Sequence, residues 1–141
     1  MGMLLYLGGA VVAFLFVVHF WDRLALRRLA ARRAGESFDT FRAALADEGA
    51  PEYVLRGVYG LLQGFAARAV ADFPVRAEDH IKGVYGMDDA EVEQGVRRLL
   101  AECGYRYPAA EQFAQMPPVH TVRDLVRAVL KCPKADGSSA G

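Results

Sequence analysis

The sequence predicts an all-α protein, and three observations lead there. Nineteen uncharged, mostly apolar residues run from Met3 to Trp21. Beyond them, apolar residues recur at helical spacing in segments that start on capping residues and stop at glycine or proline. No alternating strand pattern of convincing length interrupts those segments. The expected organisation is a transmembrane helix over residues 1–21, a basic juxtamembrane helix over 22–35, a helical domain over 36–132 and a disordered tail over 133–141.

The first helix has the length of a bilayer. At 1.5 Å rise per residue, the run from Met3 to Trp21 spans roughly 28 Å, close to the hydrocarbon thickness. Eleven of its nineteen residues are Leu, Val or Phe. At about −0.3 to −0.6 kcal/mol each, they favour insertion by roughly 3 to 7 kcal/mol before the glycines and His19 subtract. A cleaved signal peptide fits less well, because the start is not basic and an Arg-rich stretch stands where a small-residue cleavage site belongs. Tyr6 at one end and Phe20–Trp21 at the other suit the two interfaces. His19, within a turn of the arginines, reads as an interfacial imidazole reaching water. Gly9 and Ala13 form a small-xxx-small pair that lets two such helices approach, which leaves a homodimer open.

Charge then sets the orientation. Residues 1–35 carry five arginines against Asp22, a net +4, and residues 36–141 carry twelve basic and sixteen acidic side chains, a net −4. No Lys or Arg precedes the apolar run, while Arg23, Arg27, Arg28, Arg32 and Arg33 follow it closely. The C-terminal part is therefore expected on the cytosolic side of the inner (cytoplasmic) membrane, with those five arginines at the level of anionic headgroups and membrane lipid as a partner. A basic collar on an acidic domain argues against a nucleic-acid partner, whose binder would spread its basic groups over the folded part.

Gly35 closes the basic helix. Ser37 caps a short one to about Glu48, with Phe38, Phe41, Ala44 and Leu45 at helical spacing and Gly49 as its stop. After Pro51, a strongly apolar helix runs from Glu52 to about Ala69. One line on it is Leu55, Val58, Leu62 and Phe65, and a second is Val54 and Leu61, so it needs two packing partners. The connection VADFPVRAEDHIKGVYGM is too apolar for a solvated loop and should lie packed across the bundle. Asp88 and Glu91 form a capping-box pattern at the start of the next helix, whose stripe is Val92, Val96, Leu99, Leu100 and Cys103, ending at Gly104. One helical turn is expected at 109–114. The last helix starts at Thr121, with Asp124 three residues on, and stops at Pro133; its stripe is Val122, Leu125, Val126, Val129 and Leu130.

This order of elements, with FPVRAED in the long loop, VYGMDDAEVE opening a helix, a GYRYP link and a terminal TVRDLVRAVL, resembles an acyl carrier protein over roughly residues 51–131. The resemblance implies a four-helix bundle, here with one extra N-terminal helix. Members of that family carry acyl groups on phosphopantetheine, attached to a serine in an Asp-Ser-Leu motif at the start of the second bundle helix. Asp88 matches the family aspartate, but Asp89 occupies the attachment-serine position. The serines of this chain are Ser37, Ser138 and Ser139, none near it. A carboxylate cannot accept the phosphopantetheinyl group, so no cofactor is expected. What the resemblance leaves is a recognition surface: Asp88, Asp89, Glu91 and Glu93 would meet a protein partner with a basic surface. Capping and helix-dipole complementarity account for Asp88 and Glu91 by themselves, yet four acids in six residues exceed what capping needs.

Other chemistry finds little support. Adjacent Asp88 and Asp89 point about 100° apart on a helix and do not converge as a catalytic or metal-binding pair. His80, His120, Cys103 and Cys132 have no metal-ligand spacing, so no metal is expected, and both cysteines are expected as reduced thiols. No phosphate-binding glycine loop or nucleophile–base pattern is present, and no enzyme is expected. The function expected is a membrane-anchored interaction module, with a self-associating scaffold subunit or a non-covalent acyl or lipid binder as alternatives.

Overall fold

A computed structural model describes residues 2–136, with side chains from Leu7 onward. The Tyr6 side chain and the tail from residue 137, Ser138 and Ser139 included, therefore lie outside what the structure describes. The described chain is all-helical, and its seven α-helices are joined by turns and two isolated antiparallel bridges rather than strands.

Helix α1 (Gly2–Arg32) is 31 residues long and merges the expected transmembrane and basic segments into one rod. It is long and apolar enough to cross a membrane, and none of its apolar window is buried in the fold. Phe16 is 73% exposed and Trp21 60%, so nothing else among the described residues covers this surface. At 1.5 Å per residue the rod is about 46 Å long, well beyond the ~30 Å of a hydrocarbon core. Its lower end has another task. Leu26, Leu29 and Ala30 pack against the domain core, and Gly35, at φ +89°, turns the chain away in a conformation glycine adopts without strain.

Helix α2 (Phe38–Ala44) is capped by Ser37 and followed by a 3-10 turn at Ala46–Glu48, so the expected single helix to Glu48 breaks at Leu45. Helix α3 (Glu52–Ala66) is the central element; the chain leaves it three residues earlier than expected. Val54, Leu55, Val58, Tyr59, Leu62 and Ala66 are buried. The two partners its two apolar lines demand are present. Phe38 and Phe41 of α2 pack on Tyr59, with ring centroids 5.4 and 5.1 Å away. On the other side α3 meets α5 (Asp89–Cys103) and α7 (Val122–Lys131), where Leu99, Leu100, Val122, Val126 and Val129 complete the core. The α3–α5 crossing is close: a Cβ on Gly57 would stand 2.7 Å from Leu99 Cδ1.

The connection from residue 67 to 88 is packed as expected, with Phe73, Val75, Ile81, Tyr85 and Met87 buried, and it contains a short helix, α4 (Ile81–Tyr85), that the sequence did not signal. Backbone bonds Ile81 N–His120 O (2.9 Å) and Val122 N–Asp79 O (3.0 Å) zip this segment to the start of α7. Helix α6 (Ala110–Ala114) is the single turn expected at 109–114.

Two expectations are corrected here. The tail is not disordered from 133: Arg106 N donates to Pro133 O at 2.8 Å and Ala135 N to Gly104 O at 2.9 Å, holding residues 133–135 beside the end of α5. Arg33 is not a membrane-surface residue. It is 5% exposed, and its guanidinium forks onto Asp79 at 2.8 and 2.5 Å while donating to Pro74 O at 2.9 Å. Asp79, also 5% exposed, accepts further bonds from Arg76 N (3.0 Å) and Tyr85 Oη (2.8 Å). Because a buried charge must be paired, the last arginine of the basic run turns inward to the one buried carboxylate among the described residues. Burial and that carboxylate push the Tyr85 phenol far above its ordinary range, so it remains a donor.

Candidate functional site

The start of α5 is built by its own side chains. Asp88, in extended backbone, accepts from Glu91 N at 2.7 Å, and Glu91 accepts from Asp88 N at 3.0 Å, completing the capping box the sequence predicts. Asp89 stands at the first helical position and pairs with Lys82 of α4 at 2.5 Å. Glu93 pairs with Arg97, one turn on, at 2.8 Å. All four acids thus have a local partner. Two are spent on the cap, while Asp89 and Glu93 hold theirs in solvent, where an ion pair is worth little and is easily exchanged. Position 89 carries no hydroxyl, and Ser37, the one serine among the described residues, caps α2 instead.

Beside this helix start lies a cleft of about 360 Å³ between α5, α6 and α7. Val92, Val96 and Leu100 form one wall, Leu125 and Val129 the other, and the Met116–Val119 loop the end; Asp89 and Glu93 also line it. Both acids are exposed, so the cleft is an apolar slot with carboxylates on its border. Neither the slot nor its closeness to Asp89 was legible in sequence, because its walls belong to stripes that read simply as core.

Of the five arginines assigned to the membrane surface, Arg23, Arg28 and Arg32 are exposed on α1, Arg27 is exposed with its Nε donating to Ala69 O at 3.3 Å, and Arg33 is internal. His80 and His120, forty positions apart, come together with stacked rings 6.0 Å between centroids. His80 Nδ1 accepts from Gly83 N at 3.1 Å and so caps α4. Among the described residues no group of three His, Cys, Asp or Glu is placed to hold a metal. Cys103 and Cys132 are free thiols, and burial raises the pKa of both, which suits packing rather than nucleophilic chemistry. No protein-family model, curated protein or solved structure matches this chain.

Proposed function

We propose that this chain is a membrane-anchored, non-catalytic, acyl-carrier-like interaction module. Helix α1 spans the inner membrane, the domain lies on its cytosolic face, and the start of α5 with its adjoining cleft receives a protein partner. The reading is carried by one observation: two solvent-facing carboxylates, Asp89 and Glu93, border an apolar slot where a carrier would hold its prosthetic group. The complementary partner offers an apolar side chain for the slot and basic side chains beside it, which compete with Lys82 and Arg97 for the two acids. Anchoring raises the local concentration of domain and partner at one surface.

The test uses the full chain in membranes, tagged and chemically cross-linked, with Asp89→Lys and Glu93→Lys together. Asp88 and Glu91 are left alone so that the helix cap survives. A specific cross-linked protein, mapped to α5 in the wild type and lost in the double variant, supports the reading. Unchanged cross-links, or an intact mass bearing a pantetheine arm, refute it.

A second reading is favoured by the slot itself: a non-covalent acyl chain could lie between α5 and α7. Asp89 and Glu93 would repel a free fatty carboxylate there, so such a ligand would present an uncharged or cationic end. Native mass spectrometry of the wild type and a slot-filling Val96→Trp variant separates the two, since only the second reading expects a co-purifying lipid that this variant loses.

A further inference from the structure

A different crevice, of about 350 Å³, opens where α1 meets the domain. One face of α1 supplies His19, Asp22, Arg23 and Leu26; the end of α3 supplies Phe65 and the turn after it Arg68; α4 and α5 contribute Lys82 and Glu91. Above it, a shallow groove along the exposed α1 surface, lined by Leu15 and Val18, shares His19 and Asp22 with the crevice. A recess of mixed polar and apolar lining, which holds the charged groups, therefore adjoins an apolar strip on a helix of membrane-spanning length. That is the outline of an amphiphile.

The charges make it more specific. Lys82 is paired with Asp89, and Glu91 is engaged in the α5 cap. Arg23 and Arg68 have no carboxylate partner among the described residues, and Asp22 has no cation. Arg68 stacks over the Phe65 ring at 5.8 Å to its centroid. Two unpaired guanidiniums beside one unpaired carboxylate complement a group that bears a phosphate and an ammonium together.

We infer that this crevice is a binding site for an amino-phospholipid. The phosphate lies between Arg23 and Arg68, the amino group meets Asp22, and the acyl chains run along Leu15 and Val18. A purely anionic headgroup leaves Asp22 facing negative charge. A quaternary ammonium cannot donate a hydrogen bond to it.

The inference rests on α1 spanning the membrane, and the experiment keeps the two apart. The full chain is reconstituted into nanodiscs of equal parts phosphatidylethanolamine, phosphatidylcholine and phosphatidylglycerol. Its retained lipids are then counted by native mass spectrometry, with flotation on vesicles of the same mixture as a separate readout. Wild type should retain one phosphatidylethanolamine per chain, enriched about tenfold over the other two, as one good charge-assisted contact allows. Arg23→Gln with Arg68→Gln should abolish retention, and Asp22→Asn should keep one lipid but lose the preference; all three positions are exposed, so the fold should survive. Flotation together with lipids retained in bilayer proportion overturns the headgroup site alone. Failure to float overturns the spanning reading and the site with it. Equal binding of soluble glycerophosphoethanolamine to the detergent-solubilised chain overturns the lipid and assigns the crevice to a soluble phosphoamine.

Discussion

Replacing Asp79 by Ala should be among the most damaging single changes in this domain. The substitution leaves the Arg33 guanidinium, only 5% exposed, without its fork partner and with Pro74 O as its remaining acceptor. It also strands two donors, Arg76 N and Tyr85 Oη. An uncompensated buried charge costs about 3–5 kcal/mol. Each stranded neutral donor adds about 1 kcal/mol, less whatever water reaches it. Because the three effects share one site they do not add in full, and the expected loss is about 4–5 kcal/mol, a large part of a typical domain's stability. Arg33→Met should cost less, about 3 kcal/mol, because Asp79 keeps its Arg76 and Tyr85 donors. The pair Arg33→Met with Asp79→Leu removes both charges and should be milder than Asp79→Ala. Equilibrium urea unfolding in mild detergent gives the three values, and amide exchange across residues 26–33 and 70–80 shows whether the loss begins at this joint. A loss under about 1.5 kcal/mol for Asp79→Ala, or a double variant as damaged as the sum of the singles, would refute the reasoning.

Three more expectations follow from the packing and charges. A Cβ on Gly60 or Gly64 meets nothing within 4 Å, so Gly60→Ala with Gly64→Ala should stabilise by about 1–2 kcal/mol through helix propensity; Gly57→Ala should gain nothing, since its methyl presses on buried Leu99, and thermal melts compare the two. Arg127 and Arg123 hold the Glu48 carboxyl at about 2 rather than its ordinary 4.5, so its contribution to stability is complete above pH 4.5 and is lost as pH falls toward 2; an acid titration of stability should flatten there in Glu48→Gln. Asp88→Ala should lower stability by about 1 kcal/mol through loss of the cap, while Asp89→Ala, losing only an exposed ion pair, should change denaturant midpoints little.

What was legible in the sequence is what neighbouring residues determine together. Ser37, Asp88 and Thr121 bond to amides two or three positions away, so their helix starts could be named from local spacing. The stripes on α3 and α7 repeat at the helical period, so their buried faces were also readable. Local spacing says nothing about partners forty residues apart. Arg33 looked like its basic neighbours because its carboxylate lies 46 positions on, in a loop. Helix α4 was hidden because its five residues carry no repeat, and its N-cap is a histidine rather than Ser, Thr or Asp. The anchoring of 133–135 depends on backbone bonds to Gly104 and Arg106, which no side chain advertises. At the candidate site the acids were visible one by one, whereas the slot they border exists only once α5 and α7 are brought together.

The chain passes from α1 straight into the buried Arg33–Asp79 fork, with no linker between stem and domain. On a membrane-spanning α1, that direct joint would hold the domain like a flag on a stiff pole. In a bilayer, its height above the lipid and its compass bearing about the pole would both be preset. Two poles joined side by side would then fix the angle between their flags, and a visitor docking on one flag would find the second at a constant offset.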